Sequence, residues 1–185
     1  MSRHAAPATR RSSALRWLPT FLGFPIGGFV AALVAGPIDT IAAALLGGAI
    51  CGGVLGAAQS WAMRSSGPPP REWVAATAAG LALGLAFGSA LVGYGTSLGD
   101  LVVQGAICGL AIGAAQALVL RGRVAWLWAP ALSALWALGW AVSTSIGIDV
   151  ESQYTVFGAS GALVVTAATA ALPVRLAARA PRSAS

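Results

Sequence analysis

Six long apolar stretches constrain this chain more than any other feature of its sequence, because none has a charged or histidine side chain in its interior. Each is close to the ~20 residues that an α-helix needs to cross the hydrocarbon core of a bilayer. Charged residues make up 9% of the chain, too few for a water-facing surface, since soluble domains have roughly 25%. The sequence therefore predicts an all-α polytopic membrane protein with six transmembrane helices, at 18–36, 40–63, 73–94, 98–120, 124–146 and 154–174.

The charged residues predict how these helices are oriented. All 11 basic residues are arginines, and if both termini are cytoplasmic every arginine lies on the inner side, as the positive-inside rule requires. Glu72 would then be the one acid inside, and the other four would lie outside: Asp39, Asp100, Asp149 and Glu151. The exclusive use of arginine, with the alanine and glycine content, is typical of a GC-rich bacterial genome. The expected location is therefore the bacterial inner membrane.

Aromatic residues near the ends of the stretches agree with this orientation. Tryptophan and tyrosine concentrate at the two interfaces between membrane and water. We therefore expect Tyr94 and Tyr154 at the outer interface, and five tryptophans at the inner one: Trp17, Trp61, Trp73, Trp126 and Trp128.

A twelve-residue cassette occurs twice, as GAICGGVLGAAQ at 48–59 and as GAICGLAIGAAQ at 105–116. On a helix that turns ~100° per residue, its glycines and its final glutamine share one stripe, and small residues let membrane helices approach closely. A similar stripe occurs in the third stretch, and Ala78 lies away from it. We expect helices to pack through these three stripes: Gly48, Gly52, Gly56, Gly80, Gly84, Gly88, Gly105, Gly109 and Gly113.

The cassettes belong to a longer period of three helical hairpins, at 16–64, 71–121 and 123–175. A tryptophan stands near the start of each hairpin, at Trp17, Trp73 and Trp126, and an arginine stands at the end of each, at Arg64, Arg121 and Arg175. In the third hairpin Thr169 stands where the cassettes have glutamine. Since all three begin and end on the same side, we expect parallel repeats around an axis along the membrane normal, as a quasi-threefold bundle. Residues 18–176 would form this domain, between basic cytoplasmic tails at 1–17 and 177–185.

The stretches carry no group that predicts catalysis, which in a membrane needs an acid, base, nucleophile or metal ligand within the spans. Cys51 and Cys108 lack metal-ligand spacing, and His4 is in the tail. We therefore expect no catalytic residue, metal or cofactor. The arginines form no patch interleaved with aromatic residues, which argues against a nucleic-acid partner. Hydroxyls within the stretches are expected to bond to their own helix or to a neighbour: Ser60, Ser89, Ser133, Ser143 and Thr166.

Four residues remain as candidates for a polar path through the bundle. Gln59 and Gln116 would lie about 7 Å from the inner boundary, at a rise of ~1.5 Å per residue. They would either line a pore mouth or form hydrogen bonds between helices. Trp136 and Trp140, one turn apart in mid-membrane, would either gate the path or fill space opposite the glycine stripes.

Two hypotheses for function follow. The first is a non-enzymatic integral membrane protein, namely a glycine-packed scaffold or a subunit of a membrane complex. Its partners would be the bilayer and either another membrane protein or a second copy of itself. The alternative is a passive channel, or a binding component, for a small neutral solute. A continuous cavity along the bundle axis, faced by both glutamines, would favour the alternative.

Overall fold

The structure of the chain, a computed structural model, describes residues 13–121, 123–147, 150–172 and 175. Within these ranges the regular elements are all helical and no strand occurs, so the predicted all-α class is confirmed. Six helices follow one another: α1 (Gly23–Ala35), α2 (Ile41–Met63), α3 (Pro70–Leu91), α4 (Leu98–Leu120), α5 (Trp128–Ser145) and α6 (Val150–Thr169).

Among the residues that the structure describes, five helical segments are long and apolar enough to cross a membrane: Ser13–Ala35, Ile41–Met63, Pro70–Leu91, Leu98–Leu120 and Ala125–Ser145. They correspond to the first five predicted stretches and support the expected membrane protein. The sixth predicted stretch falls partly outside the described residues, which there give an apolar helix at Ser160–Thr169. Large apolar side chains cover much of the outer surface of the bundle, among them Leu33, Phe87 and Leu118.

The chain enters α1 and α5 through tighter 3-10 turns, at Leu18–Leu22 and Arg123–Leu127. Proline explains both turns. Because Pro25 and Pro130 have no N–H, the carbonyl groups four residues earlier receive no α-helical hydrogen bond. Bonding between residues three apart then takes over at the start of the helix.

Each helix packs against the next one in sequence, and α6 also packs against α1, so the helices close into a ring. We call the end where Arg64 and Arg121 follow α2 and α4 the arginine end, and the end where Asp39 and Asp100 lie near the starts of these helices the aspartate end. At the aspartate end α4 begins with a capping box, in which Ser97 and Asp100 bond to each other's backbone N–H. Such caps satisfy N–H groups that have no partner within the helix.

The tryptophans near the arginine end, all of which were expected at the inner interface, differ in exposure. Trp126 is 54% exposed, whereas Trp73 is 0% exposed and Trp17 is equally well buried. The two buried indoles belong to an apolar cluster with Met63. Trp17 and Trp73 therefore face the interior of the bundle, and their N–H groups have partners inside the protein; their position at the inner interface stays a prediction.

Candidate functional site

The cassette glycines of α2 lie directly against the backbone of α3. A Cβ atom built on Gly48 would come within 2.7 Å of the Cα atom of Ala82, and one on Gly52 within 2.8 Å of the Cα atom of Ala78. A larger side chain at either position would have to displace α3. Ala78, which the sequence placed away from the stripe of α3, is thus part of the interface with α2.

The second cassette meets α5 in the same manner. A Cβ atom on Gly113 would come within 2.5 Å of the Cα atom of Ala129, and one on Gly105 within 2.9 Å of the carbonyl oxygen of Trp136. Gly109, between them, packs against the backbone of the same helix. Both cassettes therefore face the helix that follows them in the chain.

The glycine stripe of α3 lies against α4. Cβ atoms on Gly80 and Gly84 would come within 2.7 and 2.8 Å of the Cα atoms of Ile112 and Cys108. Towards the aspartate end the contact is looser, since a Cβ atom on Gly88 would have no neighbour nearer than 3.3 Å. The glycines of α2 face α3, and the glycines of α3 face α4. Together they bring three successive helices into backbone contact.

Gln59 and Gln116 are each hydrogen-bonded to a tryptophan of the following helix. The indole nitrogen of Trp73 donates to Oε1 of Gln59 at 3.0 Å, and that of Trp128 donates to Oε1 of Gln116 at 2.8 Å. Because an indole N–H can only donate, each amide must turn its oxygen towards the ring. Each bond joins the last part of a cassette helix to the start of the next helix.

The amide nitrogen of Gln116 extends these bonds into a network. It donates to Oγ1 of Thr77 at 3.0 Å, and at 3.5 Å it approaches Oε1 of Gln59. The Thr77 hydroxyl in turn donates to the carbonyl oxygen of Trp73 at 2.8 Å. We call Gln59, Trp73, Thr77, Gln116 and Trp128 the amide–indole network. Gln116 is 2% exposed, and these hydrogen bonds satisfy its amide within the protein.

A third indole bond connects the last helix with the turn that leads into the first. Nε1 of Trp17 donates to Oγ1 of Thr169 at 3.1 Å, and the Thr169 hydroxyl donates to the carbonyl oxygen of Val165 at 2.8 Å. Thr169 stands where the cassettes have glutamine. Its hydroxyl oxygen therefore accepts from an indole, as the amide oxygens do in the other two bonds.

The bundle holds a cavity of about 270 Å³ in the half nearer the aspartate end. Its rim includes Pro37 and Ile38, between α1 and α2, and Tyr94, between α3 and α4. Cys51 and Cys108 line it further inside. The walls are mostly apolar, and none of the described residues that line it is charged.

Trp136 and Trp140 both line this cavity. Trp136 is buried and packs on Phe24, with ring centroids 5.4 Å apart and planes tilted by 49°. Trp140 lies against Gly105, where a Cβ atom would collide with the indole ring. These tryptophans therefore occupy space inside the bundle and form one wall of the cavity.

The four candidates for a polar path lie in two places: Gln59 and Gln116 in the amide–indole network, and Trp136 and Trp140 in the wall of the cavity. Gln59 lies eight residues beyond Cys51 on α2, which is ~12 Å nearer the arginine end at the rise of an α-helix. Leu55 and Ile112 belong to the apolar core of the bundle. Neither glutamine lines the cavity, so the two glutamines and the two tryptophans lie in different parts of the bundle.

Some hydroxyls of the spans bond to a neighbouring helix as expected, whereas those of Ser89 and Thr144 are buried without a partner among the described residues. Ser133 donates to the carbonyl oxygen of Ala106 at 2.8 Å, and Ser143 pairs with Ser160 at 2.9 Å. Ser89 is 2% exposed, and its hydroxyl has no partner among the described residues. An unpaired buried hydroxyl costs ~1–3 kcal/mol. Ser89 lines the cavity.

Gln104 also lines the cavity and was not among the residues predicted from the sequence. It is 8% exposed, and no hydrogen bond joins its amide to the part of the chain that the structure describes. Its amide is uncharged, so it does not stand out as an ionisable residue within an apolar span would. The available signal was its position inside an apolar span, immediately before the second cassette.

These arrangements suit different roles. The amide–indole network joins helices near the arginine end, whereas the cavity offers uncharged, mostly apolar walls and two polar groups that remain available. Such a cavity is suited to non-covalent binding of a neutral molecule. The chain matches no protein-family model, no curated protein and no solved structure.

Proposed function

We propose that the protein is a non-enzymatic integral membrane protein that acts as a rigid scaffold or as a subunit of a membrane complex. The observation that carries the proposal is that the amides of Gln59 and Gln116 are both bonded to tryptophans of an adjacent helix. Amides engaged in this way stabilise a bundle. They do not provide free polar groups along a path.

A quasi-threefold bundle of three parallel hairpins is part of this proposal. Three indole bonds support it, since each links the start of one hairpin to the second helix of another. Three glycine contacts support it as well, since each brings the first helix of a hairpin against its second helix: Gly27 with Cys51, Gly84 with Cys108, and Gly139 with Gly161. Recurring contacts of this kind are what repeated units predict, although the third indole donor is Trp128 and not Trp126, the tryptophan that opens the third hairpin in the sequence.

The proposed location is the bacterial inner membrane, with both termini in the cytoplasm. The arginine end would then face the cytoplasm and the aspartate end the outside, as the positive-inside rule requires. Large apolar side chains on the outer surface, such as Leu33 and Phe87, would contact lipid, a second copy or another membrane protein.

Stopped-flow measurements on proteoliposomes test the scaffold proposal. We expect permeability to water, glycerol and urea at the level of empty vesicles, both for the wild type and for the Gln59→Leu, Gln116→Leu double variant. The double change should cost about 1 kcal/mol of stability, at ~0.6 kcal/mol for each interhelical group. Flux in the wild type that the folded double variant loses would contradict the scaffold and support a channel.

The alternative function is a passive channel or a binding component for a small neutral solute. The cavity, with its unpaired Ser89 hydroxyl, is the observation that favours it. A channel would need an opening past Leu55 and Ile112, which fill the core of the bundle. A binding component would need no such opening.

A further inference from the structure

The cavity near the aspartate end has polar groups that the described chain leaves unpaired. The Ser89 hydroxyl is buried without a partner there, and Gln104, which is 8% exposed, lines the same cavity without a hydrogen bond to the described chain. Buried polar groups in proteins are nearly always paired, with protein or with water. A buried water needs two to four polar partners to be held well, and these walls are mostly apolar. A ligand with its own polar group would satisfy the hydroxyl and the amide better.

The two polar groups lie at one level of the bundle. A Cβ atom on Gly88 would lie 3.3 Å from Cγ of Gln104, so the glutamine side chain passes directly over α3 at this point. Ser89 is the next residue of α3, and both Ser89 and Gln104 line the cavity. A single carbonyl, hydroxyl or amide group could therefore bond to both side chains.

The remaining walls determine the rest of the ligand. Phe24, Leu85, Trp136 and Trp140 present aromatic and aliphatic surface to the cavity. None of the described lining residues is charged, so an ionised ligand would be buried without a counter-ion, at a high cost. The surface suits a flat, apolar and neutral molecule.

The size of the cavity limits the ligand further. Its volume is about 270 Å³. An apolar cavity of ~150 Å³ accommodates benzene, and pockets for drug-sized ligands begin near ~300 Å³. A compound with one or two rings fits between these limits.

We infer that this cavity is a binding site for a small, neutral, largely apolar molecule that carries one carbonyl, hydroxyl or amide group. The apolar part lies against Trp136 and Trp140, and the polar group bonds to Ser89 and Gln104. This site goes beyond the scaffold function and requires no path through the bundle.

Equilibrium dialysis of 2-naphthamide, a neutral two-ring amide, against the full-length protein in lipid nanodiscs tests the site. Empty nanodiscs measure partition of the probe into lipid. We expect saturable binding of one molecule per protein. Gln104→Leu should weaken this binding roughly tenfold, and Ser89→Ala by a smaller factor, as lost hydrogen bonds.

Two related probes separate polar recognition from apolar partition. Naphthalene, which has no polar group, should bind more weakly than 2-naphthamide to the wild type and lose no affinity on Gln104→Leu. 2-Naphthoate should not bind, because its carboxylate would be buried without a partner. The matched control is Gln59→Leu, the same change outside the cavity, which should leave 2-naphthamide binding unchanged in the folded protein.

Size-exclusion profiles and melting curves of each variant establish that it is folded. Uptake of 2-naphthamide only to the level of empty nanodiscs would overturn the site, as would equal affinity in the wild type and folded Gln104→Leu. Uptake that does not saturate, as expected if an acyl chain occupies the cavity, would overturn it too. Solute flux would contradict the scaffold proposal but would not test the binding site, so either proposal can fail without the other.

Discussion

The indole N–H of Trp73, at the start of α3, donates to the side-chain oxygen of Gln59, near the end of α2, at 3.0 Å. The two residues are 14 positions apart in the chain, on either side of the charged connection between the helices. The bond therefore fixes how α3 enters the bundle after that connection. It also gives a buried indole the partner that it needs.

Replacing Trp73 by phenylalanine should destabilise the protein by about 2 kcal/mol, because the change removes a buried hydrogen bond and leaves a small cavity. Unfolding of the purified protein in mixed detergent micelles measures this loss. The matched control is Trp126→Phe, at a tryptophan that is 54% exposed. Equal losses at the two tryptophans would mean that burial and bonding of Trp73 contribute nothing specific.

Gly52→Ala should destabilise the protein by about 1–3 kcal/mol, the usual cost of overpacking. A Cβ atom there would lie 2.6 Å from the carbonyl oxygen of Thr77. Gly53→Ala is the control, since a Cβ atom on this neighbouring glycine would meet nothing within 4 Å. Alanine is also the better helix former by ~0.5–1 kcal/mol, so Gly53→Ala should be neutral or stabilising. Thermal melts that shift equally for both variants would contradict close packing at Gly52.

Reporter fusions test the proposed orientation. Fusions after Arg64 and Arg121 should report the cytoplasm, and fusions after Asp39 and Asp100 should report the outside, because arginines are retained on the inner side. An alkaline phosphatase and a fluorescent protein, active on opposite sides, provide the paired readout. A fusion after Arg121 that reports the outside would contradict both the orientation and the parallel hairpins.

Much of the helical plan could be predicted from the sequence. The run of apolar residues from Ile41 to Met63 ends at an arginine, and α2 ends there as well. The start of α4 at Leu98 agrees with the predicted stretch 98–120, and the Ser97–Asp100 capping box at this point is a signal that is local in the sequence. Helix length and end signals depend on nearby residues, so they can be predicted without a partner helix.

Contacts between residues of different helices could not be predicted from nearby residues. Ala78 lies away from the glycine stripe of α3, yet it faces Gly52, because α3 is packed on two sides by different helices. Trp73 resembles an interfacial anchor in sequence, but it is buried in a cluster with Met63 and its N–H is bonded to Gln59, neither of which can be read from nearby residues. Gln104 appeared as one amide in an apolar span. Its relation to Ser89 depends on how α3 and α4 meet.

A double-mutant cycle of Gln116→Leu and Trp128→Phe tests most directly the claim that the glutamines hold helices together. Unfolding free energies of the wild type, both single variants and the double variant give the coupling energy of the 2.8 Å bond. The account predicts a favourable coupling of about 0.6 kcal/mol, and up to ~1.7 kcal/mol for a bond as well buried as this one. Strictly additive losses, with coupling below ~0.3 kcal/mol, would contradict it.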